Sequence, residues 1–240
     1  PRSRMAGWTR SESYHERGSC SVDDGAQRIS GAPMLSAVVP TKNEAQALPA
    51  LLAALRPEVD EVVVVDGGST DATLEIAARF GARVVTGARG RGPQQNAGAA
   101  AAVGSILWFV HADTGVPAGV GAALRRAAAP WGCFATTLRS RDPRLRFCGR
   151  WMTARARRTG SCTGDMGLWF QRDVFASLSG FAPLAALEDL DLSDRARALH
   201  PWAVLEPRIT TSARRWELEG TTRTMLRLWA LRVGYRLGVD

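Results

Sequence analysis

The chain has 240 residues, of which 45% are hydrophobic, and a formal net charge of +8. This length allows one sizeable α/β domain and is short for two complete ones. The positive charge comes almost entirely from arginine, since Lys42 is the only lysine. An arginine-rich composition by itself does not indicate nucleic-acid binding.

The cysteines and the apolar runs indicate a cytoplasmic protein. The four cysteines form no C-x-x-C pair and are too sparse for a disulfide framework. No apolar run is long enough to span a bilayer, and the N-terminus lacks the apolar block of a signal peptide. We therefore expect a soluble protein, or at most one that is peripheral at the inner face of a membrane.

The N-terminal residues 1–33 show no hydrophobic periodicity and are rich in serine, glycine and charge. They are predicted to be a disordered extension. Met34 directly precedes the first apolar run, so the natural start could lie there. Residues 34–240 are interpreted as one domain.

Short apolar runs alternate with helical patterns from Met34 onward. Apolar strands are predicted at 35–40, 61–66, 82–86 and 105–110, with helices at 44–55 and 72–81. Continuous apolar runs of this length predict a mostly parallel sheet buried on both faces, hence an α/β fold. Later segments predict a strand from 131, an Arg-rich helix near 142–158, a strand at 167–170, helices at 171–181 and from 188, a strand at 202–207 and a final helix at 218–237.

Polar residues follow the predicted strands at their carboxyl ends, where parallel sheets bind ligands. Asp66 ends the run of four valines and is followed by two glycines, so it could accept hydrogen bonds from a base or ribose, or it could cap the next helix. His111 and Asp113 follow the strand at 105–110. If this segment is extended, both side chains face the same way, which suits a divalent metal bridging a diphosphate.

Three stretches resemble the family 2 glycosyltransferases with the nucleotide-diphospho-sugar transferase (glycosyltransferase-A) fold. They are SAVVPTKNEAQAL, VVVVDGGSTDAT and GRGPQQNAGAAAAVGSILWFVHADT. The last is closest to a small bacterial subgroup in which the usual Asp-x-Asp metal motif reads His-Ala-Asp. The resemblance runs from about Leu35 to Trp216, and it departs from the family at His111 and at Lys42, where many members have an aromatic residue.

The resemblance implies a role for each matching residue on the donor side. Residues 34–115 would be the nucleotide-sugar half, in which Asp113 would hold Mg²⁺ or Mn²⁺. His111 would lie beside the ribose or the metal. The remaining donor-side residues would be Glu44 and Asp66 at the nucleoside, Pro40 and Thr41 shaping its pocket, and Arg91 and Asn96 near the diphosphate-sugar.

The resemblance also implies an acceptor half at 116–217, followed by a C-terminal helical segment at 218–240. Gly164 and Asp165 would open the acceptor site, and Asp189, after Glu188, would be the catalytic base. Arg215 and Trp216 would belong to a loop that closes over the diphosphate. From the residues alone, the acidic cluster at 188–191 could equally be the first turn of a helix, where the helix dipole favours carboxylates.

The implied reaction is metal-dependent, inverting transfer of a hexose-type sugar from a nucleoside-diphosphate sugar to an acceptor hydroxyl. The sequence does not identify the nucleotide base, the sugar or the acceptor, which could be lipid-linked or a small molecule. One alternative is a sugar-nucleotide nucleotidyltransferase, although the loop after the first strand lacks the glycines of a phosphate loop. The other is a non-catalytic basic module that binds RNA or a membrane surface; nucleic acid is not expected as a partner.

The final helix carries a second open question. Met225, Trp229 and Val233 share one predicted face. That face is expected to pack partly on the core, with peripheral membrane contact as the alternative.

Overall fold

The computed structural model describes residues 32–87 and 89–236, with only the backbone described at 215, 218, 228, 229 and 236. The predicted extension lies outside these residues except for its last two positions. From Pro33 onward the chain forms one compact unit.

The first part of this unit alternates strands with helices, as the hydrophobic pattern predicts. Its elements are β1 Leu35–Thr41, α1 Leu48–Leu55, β2 Glu61–Asp66, α2 Thr73–Arg79, β3 Arg83–Thr86, α3 Arg91–Ala101, β4 Ile106–Phe109 and α4 Val120–Arg125. Helix α1 begins four residues later than predicted, because residues 45–47 form a turn and proline occupies the first helical turn.

The second part has longer elements and a different order. They are β5 Trp131–Arg139, α5 Pro143–Thr159, a 3₁₀ turn Gly164–Met166, β6 Trp169–Gln171, α6 Arg172–Ser177, α7 Glu188–Leu199, β7 Trp202–Ser212, α8 Arg214–Glu219 and α9 Thr221–Arg236. The predicted single helix at 218–237 is thus wrong in its start. Gly220, with φ of 86°, separates α8 from α9.

Within the described residues, seven strands form one sheet in the order β3-β2-β1-β4-β6-β5-β7. Strands β1 to β4 are mutually parallel, and β5 is parallel to β7. Only β6 runs antiparallel to its neighbours β4 and β5. The predicted α/β class with a mostly parallel sheet is confirmed.

The sheet is covered on both faces, which explains why its strands read as continuous apolar runs. Along β1, Val38 belongs to the apolar cluster on one face, while Ala37 and Val39 belong to the cluster on the other. The first cluster includes residues of α3, α6 and α7, and the second includes residues of α1, α2 and α4. Because both faces are closed, ligands can approach the sheet only at its edges.

Helix α9 exposes Met225 of its predicted apolar face, while Val233 of that face is half-buried and the Trp229 side chain lies outside the described part of the structure. Thr224 is 1% exposed, whereas Met225 and Leu226 are 49% and 63% exposed. Near the end of the helix, the Tyr235 hydroxyl donates a hydrogen bond to Asp191 of α7 at 3.1 Å. The Tyr235 hydrogen bond thus joins the end of α9 to α7, and Met225 is open to solvent.

Candidate functional site

The carboxyl ends of β1, β2 and β4 meet at one edge of the sheet. Thr41, the last residue of β1, pairs in register with Asp66, the last residue of β2. On the other side of β1, Val38 pairs with Phe109 of β4, so His111 follows at the same edge. The predicted convergence of polar strand ends is thus present.

Asp66 is 2% exposed and holds the turn that follows it. Its Oδ2 accepts hydrogen bonds from the backbone N–H groups of Gly68 and Ser69, both at 2.9 Å, and its Oδ1 accepts one from the Ser69 hydroxyl. Asp66 therefore does not cap α2, which begins at Thr73 after Ala72 with no side-chain hydrogen bond at its N-cap. Gly68 has φ of 92°, a conformation that glycine adopts without strain.

Two loops at this edge are joined by side-chain hydrogen bonds. Asn43 accepts from the backbone N–H of Thr70 through its Oδ1 at 2.8 Å, and its own N–H donates to the Ser69 hydroxyl at 2.8 Å. The N–H of Glu44 donates to the Thr73 hydroxyl at 2.9 Å. These bonds fix the loop after β1 against the loop after β2.

Gln94 is a buried residue of this edge that the sequence analysis missed. Its Nε2 donates to the carbonyls of Thr41 and Val65 at 2.9 and 2.8 Å. A Cβ atom on Gly67 would lie 2.9 Å from the same Nε2, so glycine is needed there. The signal was available as a glutamine pair at the start of a helix that follows the predicted strands.

Pro40 and Thr41 shape the base of this edge. Thr41 is 2% exposed, and its hydroxyl donates to the Val65 carbonyl at 3.3 Å. Pro40 is half-buried. The Thr41 side chain is thus engaged within the sheet.

The carboxylate of Asp113 and the guanidinium group of Arg214 both lie within electrostatic range of Glu44. Burial raises the pKa of Glu44, and the Asp113 carboxylate raises it further, while Arg214 opposes the rise. Asp113 and Arg214 are exposed. An excess of carboxylate charge beside an open surface favours a cation there.

These residues fit a divalent metal that takes some of its ligands from the protein and the others from a substrate. Among the described residues, no group of three His, Cys, Asp or Glu side chains is arranged to hold a metal by itself. Mg²⁺ commonly binds one or two carboxylates and completes its shell with water and substrate phosphates. Asp113, with Glu44 nearby, meets that requirement.

His111 and Asp113 lie in a turn and not in an extended segment, so the prediction that their side chains face the same way is wrong. The N–H of Thr114 donates to the His111 carbonyl at 3.0 Å. The His111 side chain is therefore mostly buried, with 16% exposure, while Asp113 is open to solvent.

His111 lies against the residues predicted for the acceptor side. Its Nδ1 lies 3.4 Å from the Asp165 Oδ1, and the Gly164 N–H donates to the Asp189 Oδ2 at 2.6 Å. A Cβ atom on Gly164 would lie 3.0 Å from the His111 Nε2 and 3.3 Å from the Asp189 Oδ2. The buried Nε2 has no hydrogen-bond partner in the described part of the chain.

Strand β6 explains why these distant parts of the sequence meet. Because β6 is antiparallel to β4, its beginning lies at the carboxyl end of β4, where Trp108 pairs with Trp169. The Phe109 N–H also donates to the Leu168 carbonyl at 2.7 Å. The loop before β6, which carries Gly164 and Asp165, is thereby placed beside His111.

Glu188 and Arg91 form an ion pair between α7 and α3. The Arg91 Nη1 lies 3.6 Å from the Glu188 Oε1, and Glu188 is 2% exposed. Burial raises the pKa of Glu188, the Asp189 carboxylate raises it further, and Arg91 opposes the rise. Glu188 therefore links the two halves of the sheet edge.

Asn96, predicted to lie near the diphosphate-sugar, is held by the backbone of Phe181. Its Nδ2 donates to the Phe181 carbonyl at 2.8 Å, and its Oδ1 accepts from the Phe181 N–H at 2.9 Å. Each end of the amide thus makes one hydrogen bond to the backbone, which leaves its second N–H for another partner. Asn96 positions the segment before α7.

The predicted loop at Arg215 and Trp216 is the helix α8. Trp216 is half-buried and packs against an apolar cluster that includes Leu138 and Leu145, so it anchors α8 on β5 and α5. The Arg215 side chain lies outside the described part of the structure. Arg214, one residue earlier, is the basic side chain within electrostatic range of Glu44.

Comparison with known families identifies the first part of the domain. The family model described as glycosyl transferase family 2 matches residues 36–131. This segment belongs to glycosyl transferase family 2. The family 2 segment contains β1 to β4 and the residues Glu44, Asp66, Arg91 and Asp113.

Mycobacterial proteins are similar to part of the chain. An uncharacterized glycosyltransferase of Mycobacterium tuberculosis is 43% identical over 86 residues, which are 35% of this chain and 39% of the relative. A PGL/p-HBAD biosynthesis glycosyltransferase of the same organism is 40% identical over an alignment of 92 positions, which covers 34% of this chain and 36% of that protein. The matched region thus spans about two fifths of the length of these curated relatives.

Solved structures extend the similarity to the second half of the domain. A mannosyltransferase from Pyrobaculum calidifontis, solved with GDP-Man and Mn²⁺, superposes with a TM-score of 0.60 at 23% identity and covers 75% of this chain and 57% of its own. Glucosyl-3-phosphoglycerate synthase from Mycobacterium tuberculosis, solved with Mn²⁺, UDP and phosphoglyceric acid, has a TM-score of 0.53 at 26% identity, covering 75% and 68%. The family 2 segment therefore sits within a glycosyltransferase-A fold, as the resemblance implied.

Proposed function

We propose that the protein is a metal-dependent glycosyltransferase that moves a hexose-type sugar from a nucleoside-diphosphate sugar to an acceptor hydroxyl with inversion. The observation that carries the proposal is the convergence of two clusters at one sheet edge. Glu44 and Asp113 lie on the family 2 segment, and the Gly164 to Asp189 hydrogen bond lies beside His111. A donor and an acceptor would meet between them.

On the donor side, the nucleoside would lie against the loops after β1 and β2. Those loops are held in place by the Asn43, Asp66 and Gln94 hydrogen bonds, so contacts within the protein fix their positions. Arg91 at the start of α3 and Arg214 at the start of α8 would supply cationic contacts to the diphosphate.

Asp113 would hold Mg²⁺ or Mn²⁺, with Glu44 close by. The metal would neutralise charge on the leaving diphosphate. Both similar structures described above were solved with Mn²⁺ and a nucleotide or nucleotide sugar, which supports the proposal.

On the acceptor side, Asp189 would take the proton from the acceptor hydroxyl. The acceptor oxygen then forms a bond to the anomeric carbon, and the bond from that carbon to the diphosphate oxygen breaks, with its electron pair leaving on the diphosphate. The Gly164 N–H donates to the Asp189 Oδ2 and orients the carboxylate. The buried Nε2 of His111 faces the same place and would contact the reacting sugar or the acceptor.

A thermal-shift screen tests the donor half of this proposal. We expect UDP, GDP or dTDP sugars to raise the unfolding temperature in the presence of Mn²⁺ and much less in its absence, because binding to the native state stabilises it by mass action. Donor hydrolysis, in which water replaces the unknown acceptor, should show the same metal dependence. Identical shifts with and without metal for every nucleotide would contradict the proposal.

The two alternatives predict other outcomes in the same experiments. A nucleotidyltransferase would release pyrophosphate from a nucleoside triphosphate and a sugar phosphate. A basic RNA-binding module would retain RNA on a filter with a steep dependence on salt and would not respond to sugar nucleotides. The family 2 match and the fold favour the transferase.

The cellular location stays a prediction. No helix in the described ranges is long and apolar enough to cross a membrane. We expect a cytoplasmic protein, with peripheral contact at the inner face of the membrane if the acceptor is lipid-linked.

A further inference from the structure

Arg155, on the last turns of α5, is a cation whose charge is not used by the proposed reaction. Its Nε donates to the Ser161 carbonyl at 3.3 Å, and its guanidinium group lies 5.4 Å from the centre of the Trp151 ring. Its Nη2 is buried and has no hydrogen-bond partner within the described residues. A buried donor without a partner is uncommon in proteins and costs stability.

The charge of Arg155 is also uncompensated at short range. Of the carboxylates in the described ranges, none forms an ion pair with it, although eight other arginines and His111 do have such partners. Burial and the nearby Arg232 guanidinium lower the pKa of Arg155 to about 10. The two guanidinium groups therefore lie within electrostatic range of each other.

The position of this cation relates it to the proposed base. Asp189 is among the groups that act electrostatically on Arg155, yet its oxygens accept from the N–H groups of Gly164 and Leu190. Ser161, which accepts from Arg155, belongs to the loop between α5 and β6 that also carries Gly164. On the same loop, the buried Thr163 hydroxyl has no partner in the described residues.

We propose that the acceptor carries an anionic group, a phosphate or a carboxylate, and that Arg155 binds it while Asp189 receives the proton from the acceptor hydroxyl. This inference rests on the proposed function, since it names the acceptor class for the same site. An oxyanion would pair with the buried Nη2 and offset the positive charge, and a guanidinium group is suited to two parallel hydrogen bonds with such a group. Thr163 would contribute a hydroxyl donor.

Calorimetric titration with glycerol 3-phosphate, in the presence of Mn²⁺ and saturating UDP or GDP, tests this site. The nucleotide fills the diphosphate site, so the added phosphate reports on another one. We expect Arg155→Gln to weaken glycerol 3-phosphate binding about ten- to a hundredfold, the range for a hydrogen bond to a charged group. Arg155→Lys should bind glycerol 3-phosphate more tightly than Arg155→Gln and more weakly than the wild type. Lysine keeps the positive charge but lacks the paired N–H donors of the guanidinium group.

The matched control is Arg158→Gln on the last turn of the same helix, where Arg158 is exposed. This control should bind glycerol 3-phosphate as the wild type does. Unchanged binding in Arg155→Gln, equal loss in Arg158→Gln, or no binding by the wild type at millimolar concentration would overturn the inference. Arg155→Lys and the unfolding temperature of each variant separate loss of the site from loss of the fold.

Further arms identify the source of the anion. Titration with acetate at matched ionic strength tests whether the site binds a carboxylate. Binding to vesicles of phosphatidic acid in phosphatidylcholine tests whether it binds a lipid phosphate. Both measurements use the same variants. Nucleotide binding should be equal in all variants. If nucleotides fail to bind while glycerol 3-phosphate binds through Arg155, the proposed function fails and the anion site stands. If nucleotides bind but glycerol 3-phosphate does not, the proposed function stands and the anionic acceptor is excluded.

Discussion

Asp113 and Asp189 differ in how far their carboxylates are already engaged. Asp113 is exposed and acts on Glu44 through its charge, whereas Asp189 accepts hydrogen bonds from Gly164 and Leu190. An open carboxylate suits a metal that arrives with the substrate. An oriented carboxylate suits proton transfer, for which the position of the oxygen matters.

The two carboxylates should therefore respond differently to substitution. Asp113→Ala should weaken Mn²⁺-dependent nucleotide binding and abolish donor hydrolysis, because the diphosphate loses its counter-charge in every state. Asp189→Asn should leave nucleotide binding nearly intact and reduce kcat by about 10²- to 10⁴-fold. Calorimetry and hydrolysis rates measure the two effects.

Near-normal turnover in Asp189→Asn, or a loss of nucleotide affinity as severe as in Asp113→Ala, would show that Asp189 is not the base. Asp165 would then be the next candidate, because its carboxylate lies 3.4 Å from His111. Asp191 is less suited, since it accepts hydrogen bonds from Arg195 and Tyr235.

Glu188 should make stability depend on pH. Burial holds its folded pKa above the ordinary value, so the folded state binds the proton more tightly than the unfolded state. Stability from the protonated form is present at low pH and is lost as pH rises through the folded pKa. Glu188→Gln should therefore be more stable than the wild type at about pH 8, with the difference shrinking toward about pH 4.

Urea unfolding at these two pH values measures the effect of Glu188→Gln. The control is Glu75→Gln on α2, where the side chain is exposed; it should change stability little at either pH. A Glu188→Gln variant that is less stable than the wild type at the higher pH would mean that the Arg91 ion pair, at 3.6 Å, outweighs the cost of burying the charge.

At the scale of elements, α3 packs unusually close to β1 and β2. A Cβ atom on Gly98 would lie 2.3 Å from the Val38 Cγ1 and 2.8 Å from the Val65 Cγ2. The same helix carries Gln94, which binds the carbonyls at the ends of both strands. The close approach thus places the helix where Gln94 and Arg91 reach the sheet edge.

Gly98→Ala should destabilise the fold by about 1–3 kcal/mol through overpacking, although alanine is the better helix former. Adding Val38→Ala should make the double variant more stable than the sum of the two single effects, because it removes the methyl group in the way. A double-mutant cycle in urea measures this coupling. Additive effects of the two substitutions would contradict close packing of Gly98 against Val38. As a control, Ala100→Gly on the exposed face of α3 measures the difference in helix propensity between alanine and glycine without a change in packing.

At the scale of the whole molecule, the net charge of +8 is combined with exposed apolar residues on α9. Met225 and Leu226 are open to solvent, and Arg223 and Arg227 belong to the same helix. Apolar and basic residues together favour binding to anionic membranes. Membrane contact therefore stays a prediction for α9, on which Met225 and Leu226 are exposed.

We expect the protein to co-sediment with phosphatidylglycerol vesicles at low salt and less at high salt. A variant with Met225→Ser and Leu226→Ser should bind them more weakly. Leu199→Ser is the control, since Leu199 is 70% exposed at the end of α7. Equal binding by the double variant and the wild type would exclude a membrane role for α9.

Local sequence patterns were enough to predict the α/β class, the four strands of the first half and the places of Asp66 and Asp113 near strand ends. Continuous apolar runs and helical periodicity are local signals, and the parallel order of neighbouring strands follows from them. The family 2 motifs, confirmed at residues 36–131, also lie in this local pattern.

The way in which the second half completes the site could not be predicted from local patterns. The antiparallel strand β6 brings Gly164 beside His111 and Asp189, and no local pattern encodes the direction of an inserted strand. Likewise, the hydrogen bonds of Asn96 to Phe181 and the packing of Trp216 on α5 and β5 join residues far apart in the chain. Long-range contacts of this kind depend on which surfaces fit together once both faces of the sheet are covered, and hydrophobic periodicity carries no information on that choice.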